Sequence, residues 1–244
     1  MAADSEDIFG RAIRKLERLA SLDEADRRAI GGLHFRMEIV PANALLVTEG
    51  DRATHCTLLL DGYACRHKET STGGRQILAF NLAGDLLDMQ RIFLARSDHN
   101  VQTIGPATIA RVPAGALRAV MTERPRIAEA LWRDTLVEAA IAREWVLNVG
   151  RRGASARIAH LLCEFAIRRE AAGFGPPERF ELPMTQEQIG DATGLTSVHV
   201  NRKMQELDAM GVIARTRREF HILDWGKLRR IGDFDDTYLK AAAA

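Results

Sequence analysis

After Pro125 the chain runs to Gly150 without another glycine or proline, and Ala, Leu, Glu and Arg dominate the stretch. Such residues favour helix, and at 1.5 Å per residue the run makes a single rod of about 35 Å. Ile127, Leu131, Asp134, Glu138, Ile141 and Trp145 recur at three- and four-residue steps, with Ala130, Val137 and Ala140 widening the stripe. A helix apolar over more than one face needs partners on two sides. It is either a core helix or one shared between its own domain and a twin subunit. On the second reading the six stripe residues are the expected seam of a homodimer.

What precedes the rod has a different texture. Ile8, Ile13, Leu16 and Leu19 follow helical spacing, and Ser21 with Glu24 reads as a capping box opening a second short helix. From Leu33 to Val112, short apolar runs (Ala44–Val47, Thr57–Leu60, Gln76–Phe80, Ala107–Ala110) alternate with turn signals such as Glu49-Gly50-Asp51, Asp61-Gly62 and Gly84-Asp85. Closely spaced strands closed by Gly, Asp or Pro predict an antiparallel sandwich or roll, with Gly73-Gly74 at a hairpin tip. Pro113 begins a further helical stretch.

Behind the rod, Gly150-Arg151-Arg152-Gly153 reads as a hinge carrying two solvated arginines, and a helix with Ile158, Leu161, Leu162, Phe165 and Ala166 on one side follows. Thr185-Gln186-Glu187-Gln188 is a capping box. The short helix it opens ends at Gly194, where a positive φ is needed. Thr196 then caps a second helix, anchored by Val200, Met204 and Leu207 and showing Ser197, Val198, Asn201, Arg202 and Gln205 on the other face. Two short helices around a glycine turn are helix-turn-helix geometry, whose second helix enters the major groove of DNA. Arg202 suits guanine O6/N7, Asn201 can read adenine or hold phosphate, and Thr185, Gln186, Thr196, Ser197, Val198, His199 and Gln205 complete the expected contact surface. Gly211–Ala214, Arg215–Arg218 and Glu219–Leu223 read as strand, basic tip and strand, a wing bringing Arg217 and Arg218 to the phosphate backbone.

The whole chain carries a net charge of only +1, so any case for nucleic acid is local. Between Thr196 and Arg218 five basic side chains face two acidic ones, a net of +3. Three cysteines, Cys56, Cys65 and Cys163, are too scattered for a disulfide framework or a metal motif. The charged N-terminus lacks a signal sequence, and no apolar run reaches the ~18 residues a membrane helix needs. The expectation is a soluble, cytoplasmic protein. Seven dispersed histidines without metal-ligand spacing argue against an enzyme built on the roll.

The order of these elements (roll, long helix after Pro125, Arg157-Ile158-Ala159, the Thr185–Leu207 helix pair, Gly211-Val212-Ile213) resembles the CRP/FNR transcription regulators over nearly the whole chain. The resemblance implies an α+β protein. Residues 1–124 would form an N-terminal antiparallel β-roll of the cyclic-nucleotide-binding, jelly-roll kind, with flanking helices and a sensor role. Residues 125–150 would be the dimerisation helix, and residues 151–244 the winged helix-turn-helix. It implies a homodimer on a two-fold symmetric operator in double-stranded DNA, acting on RNA polymerase. Arg202 matches the family's arginine, whereas Ser197-Val198 stand where members often carry Arg-Glu. That departure predicts a half-site unlike those of the best-known members.

The sensor departs further. Asp88-Met89 replace the Gly-Glu of nucleotide binders, Arg96-Ser97 comes two or three residues too early, and Ala142-Arg143 stand where cyclic-AMP binders have Thr-Ser. Cyclic AMP is therefore not expected. An iron–sulfur cluster is not expected either, because the N-terminal segment has no cysteine. Cys65-Arg66-His67 sits on a probable strand, away from the place of a haem Cys-x-His, and reads as a core cysteine beside a surface histidine. Gly84, Asp88, Gln90, Asp98, His99 and Asn100 either line an effector pocket for an unidentified ligand or hydrogen-bond one another. The rival to a DNA-binding regulator is a cyclic-nucleotide-type regulatory module acting through protein contacts. Arg202 and the basic wing argue against it.

Overall fold

The computed structural model describes residues 8–52, 54–216 and 219–240. Packing divides the chain into two compact units. One combines the chain up to Lys68 with Phe80–Ala139, and the other combines Glu69–Ala79 with Ala140–Lys240.

The first unit opens with α1 (Gly10–Glu17) and α2 (Glu24–Gly31). The cap of α2 is Asp23, not Ser21: its carboxylate accepts from the Asp26 amide while Asp26 accepts from the Asp23 amide. An aspartate directly before the helix reaches the third amide at shorter range than a serine two residues earlier. Along the chain seven strands follow: β1 (Arg36–Val40), β2 (Leu45–Val47), β3 (His55–Asp61), β4 (Tyr63–Glu69), β5 (Arg75–Leu82, which belongs to the second unit up to Ala79), β6 (Asn100–Thr103) and β7 (Ala107–Pro113). They make two sheets, β1-β7-β3 and β2-β6-β4-β5.

Period-two alternation assigns the faces. On β3, Leu59 enters the roll interior with Val47, Ala64, Leu87, Val101 and Ile109. Its neighbour Leu58 points the other way, into a second cluster with Phe9, Ile13, Leu16, Ile30 and Ile127. The second cluster holds α1, α2, α3 (Ala114–Glu123) and the start of α4 (Pro125–Arg151) against the sheet. Register of β3 on β7 runs Cys56↔Val112 to Leu59↔Ile109, then shifts before Asp61. Gly73, at φ +85°, turns the β4–β5 hairpin as its sequence predicts. Both members of the strand pair Cys65 and His67 are buried, so His67 is not a surface residue. A strand whose outer face is also covered has no solvated side for it.

In the second unit the C-terminal part of α4 leads to α5 (Ala154–Ala171), β8 (Arg179–Phe180), α6 (Gln186–Thr193), α7 (Ser197–Ala209), β9 (Ile213–Arg215), β10 (Phe220–Ile222) and α8 (Trp225–Gly232). The strands form a three-stranded sheet, β8-β10-β9, and α5 is the central element, with Ile158, Leu161, Leu162, Phe165 and Ala166 buried. Gly232 of α8 approaches α5 so closely that a Cβ would sit 2.7 Å from the His160 amide nitrogen. The expected hinge is not a pair of solvated arginines. The α4 helix continues through Gly150 and Arg151, and Arg152 folds inward to Glu144 at 2.6 Å.

Candidate nucleic-acid interface

The helix pair forms as its caps dictate. Thr185 Oγ1 accepts from the Gln188 amide and Gln188 Oε1 accepts from the Thr185 amide, closing both halves of the box. Gly194 ends α6 at φ +67°. Gly190 allows the tight turn, because a Cβ there would lie 2.5 Å from the Leu195 carbonyl oxygen. Thr196 then caps α7 by accepting from the His199 amide. Val200, Met204 and Leu207 are fully inward.

The other face of α7 is solvated. Ser197, Val198, Arg202 and Gln205 are exposed, and His199 and Asn201 are half-buried. Val198, at 79% exposure, is a branched apolar side chain with nothing of its own chain to cover it. No ion pair or hydrogen bond holds the Arg202 side chain among the described residues. A guanidinium left in water on a helix face keeps its five donors for a partner. Lys203 leans aside to Glu206 at 2.7 Å and leaves the packing of α7 intact. Of the remaining expected contacts, Thr185 is exposed at the cap of α6 and Gln186 is half-buried beside α7. Arg217 and Arg218 lie outside the described residues. β9 and β10 flank their position, with the Thr216 amide donating to the Glu219 carbonyl.

The roll residues proposed for an effector do not make one pocket. Asp88 is completely buried; it accepts from the Thr57 amide at 2.6 Å and hydroxyl at 3.0 Å, and Arg91 lies 3.4 Å away. Burial raises its pKa against these partners. Gly84 is covered by the Arg11 backbone, 3.2 Å from where a Cβ would stand. Gln90, His99 and Asp98 form a chain of side-chain contacts, and Asn100 accepts from the Glu49 amide. These polar groups bond one another or the backbone. Burial and the Arg66 charge lower the His99 pKa despite Asp98.

Three cations of the first unit, Lys15, Arg66 and Arg96, are likewise engaged. Lys15 Nζ bridges Asp85 at 2.9 Å and Asp134 at 2.7 Å. Arg66 meets Glu138 at 2.8 Å and donates to the Leu86 and Leu87 carbonyls. Arg96 donates to the Gly50 carbonyl. A cyclic phosphate would find carboxylates where it needs a free cation, so the residues present do not fit a cyclic nucleotide.

These pairs also correct the seam. Ile127, Leu131, Asp134, Ile141 and Trp145 are buried within their own chain, and Glu138 is held by Arg66. The physical reason is that a stripe containing two carboxylates needs buried cations, and α1 and β4 supply them. Other large apolar side chains of α4 are exposed: Trp132 and Leu136 in the first unit, and Val146 (70% exposed) and Leu147 in the second. Phe93 stacks near Trp132 with ring centres 6.3 Å apart.

A polar cluster that the sequence does not announce lies in the second unit. Glu164 is buried and accepts from Trp145 Nε1 and from the Tyr238 hydroxyl. His160, also buried, contacts the Gly232 carbonyl and the Tyr238 hydroxyl. Burial, with Arg152 adding to it, pushes the His160 pKa down to about 4. The available signal was a histidine and a glutamate at i and i+4 inside an apolar helical stripe.

A β-roll joined to a helix-turn-helix with a solvated arginine on its second helix defines a two-domain DNA-binding regulator. Residues 37–124 match the cyclic nucleotide-binding domain, and residues 156–231 match the Crp-like helix-turn-helix domain. The chain is 30% identical over 204 residues to the transcriptional activator protein FnrL of Cereibacter sphaeroides, covering 80% of each chain. It is 29% identical over 213 residues to the nitrogen fixation regulation protein FixK of Bradyrhizobium diazoefficiens, covering 87% of this chain and 88% of that one. The structure of FixK2 from Bradyrhizobium japonicum superposes with a TM-score of 0.74 at 25% identity, over 87% of this chain and all of that one. The chain belongs to the CRP/FNR family, and it is a transcription regulator with a helix-turn-helix DNA-binding domain, not an enzyme.

Proposed function

We propose that the chain works as a homodimer that lays α7 of each copy into successive major grooves of a two-fold symmetric operator. The observation that carries this is the outward face of α7, where Val198, Arg202 and Gln205 stand exposed and Arg202 has no partner among the described residues. Ser197, Thr185 and the helix N-termini would hold phosphates, which favour free amides and hydroxyls. Arg202 would read guanine through O6 and N7, and Val198 would touch a thymine methyl. The exposed Trp132, Leu136, Val146 and Leu147 support pairing of two copies along α4, because several large apolar side chains on one helix are rarely left in water.

The signal is not a cyclic nucleotide on this reading, since Lys15, Arg66 and Arg96 are satisfied internally. The setting is cytoplasmic, and RNA polymerase is the partner through which such a regulator acts. Among the described residues no helix is long and apolar enough to cross a membrane. Selection of DNA from a random pool, followed by titration at two salt concentrations, tests the proposal. A symmetric selected site, bound with an affinity that falls steeply with salt, is expected. Absence of any selected sequence would refute it.

A further inference from the structure

Asparagine ordinarily presents an acceptor and a donor side by side, the pattern that matches N6 and N7 of adenine. In Asn201 one of the acceptor's two lone pairs is already in use. Its carbonyl oxygen accepts from Gln186 Nε2 at 3.1 Å. Both residues are half-buried, one at the start of α6 and the other on α7.

The two backbones cannot drift apart. The double capping box at Thr185 anchors the residue before Gln186, and the Gly190–Leu195 approach holds α6 against the turn into α7. The direction of the bond has a physical cause. Gln186 is the first residue of α6, where unpaired amides give the helix its positive end. That end favours the Gln186 carbonyl on its own side and leaves Nε2 to donate. Turning the Asn201 amide over would then set two NH2 groups face to face.

We propose that Gln186 is a positioning residue that turns the NH2 of Asn201 outward, so that its DNA target is an acceptor atom and not the 6-amino group of adenine. The acceptor is a phosphate oxygen, or O6 or N7 of guanine or O4 of thymine. The surface round Asn201 suits this target: two helix N-termini and Arg202 make it electropositive. The inference rests on α7 being the DNA-reading helix. It goes further in giving Gln186 a role through Asn201 instead of a contact of its own.

The test uses the full-length chain and the operator obtained by selection. If the wild-type chain selects no sequence, the DNA-binding reading fails before this one is reached. Affinities are then measured for wild type, Gln186→Met, Asn201→Ala and the double variant, on the operator and on an unrelated duplex. Gln186→Met keeps the length but cannot hydrogen-bond; a loss of about fivefold or more on the operator is expected. In the Asn201→Ala background the same change is expected to cost less than about twofold, since it has nothing left to position. Losses that multiply, or no loss from Gln186→Met, overturn the proposal. A loss confined to the operator identifies a base acceptor, and an equal loss on the unrelated duplex identifies phosphate.

A second arm does not depend on the methionine variant folding. Gln186→Glu can only accept at neutral pH, so Asn201 must turn its NH2 inward and present its carbonyl. The added charge is controlled by Gln186→Glu with Asn201→Ala, which keeps only the repulsion. A loss beyond that control is expected. Finally, each operator adenine is replaced by purine, which lacks the 6-amino group. If one replacement weakens wild type and leaves Asn201→Ala unchanged, Asn201 accepts from adenine and the proposal is wrong.

Discussion

Replacing Lys15 with methionine keeps most of the side-chain volume and removes one ammonium from between two carboxylates. In the native chain Lys15 Nζ lies 2.9 Å from Asp85 and 2.7 Å from Asp134, and those carboxylates are only 7% and 10% exposed. Asp85 keeps the Leu82 amide as a donor. Asp134 has Lys15 as its one hydrogen-bond donor among the described residues. The loss therefore falls mainly on Asp134. Removing one partner of a buried pair costs about 3–5 kcal/mol, a large share of the roughly 5–15 kcal/mol that holds a domain folded.

Burial already raises the Asp134 pKa, and Glu138 and Asp85 add to the rise while Lys15 opposes it. Without Lys15 it climbs further. A carboxyl whose folded pKa lies above its unfolded value is stable below the unfolded pKa and loses that stability as pH rises through the folded one. The penalty of Lys15→Met should thus be larger at pH ~8 than at pH ~5, because Asp134 takes up a proton as pH falls. Urea unfolding of wild type and variant at both pH values reads it directly. Adding Asp134→Leu to Lys15→Met should recover about 1–4 kcal/mol near pH ~8, because the uncompensated charge is gone. A penalty below about 1 kcal/mol near pH ~8, or one of equal size at both pH values, would refute the reasoning.

Further outcomes are expected. Leu136→Glu or Val146→Glu should give a folded monomer by sedimentation, whereas Trp145→Ala, which empties a buried site and strips a donor from Glu164, should cost about 3–5 kcal/mol in unfolding. Arg202→Ala should weaken the operator by about 1–3 kcal/mol per lost base contact in each half-site. Arg217→Ala should weaken all duplexes alike and lower the salt slope by about 1, and a loss confined to the operator would contradict its assignment to the backbone. The His160 pKa, held down at about 4 by burial and then by Arg152, makes its contribution present above the unfolded value. The unfolding free energy should therefore fall as pH drops from about 6.5 toward 4, by up to roughly 1.4 kcal/mol per pH unit. His160→Gln should flatten that slope, and an unchanged slope would show that other groups carry it.

Local rules account for the helix-turn-helix being legible. Thr185 and Gln188, Gly194, Thr196 and the Val200–Met204–Leu207 spacing all act within one turn of helix, and the structure realises each of them. The paired strands of the roll were less so. β1, β4 and β6 carry Arg36, Arg66, His67, Asn100 and Gln102, polar residues that hide a strand until its neighbours are known. Asp88 and Asn100 looked like ligand groups because polarity is visible in a sequence and burial is not. The C-terminal Tyr238 left no local mark at all, since its role is a contact with Glu164 seventy-four positions away.

The long helix shows where the division falls. Its length, start and three- and four-residue stripe follow from residue order, because helix geometry repeats over a few positions whatever surrounds it. Which side faces inward does not, since apolar residues stand on more than one. That choice depended on Lys15 and Arg66, brought from distant parts of the chain to Asp134 and Glu138. A carboxylate leaves water only where a cation waits for it, and only the folded chain puts one there.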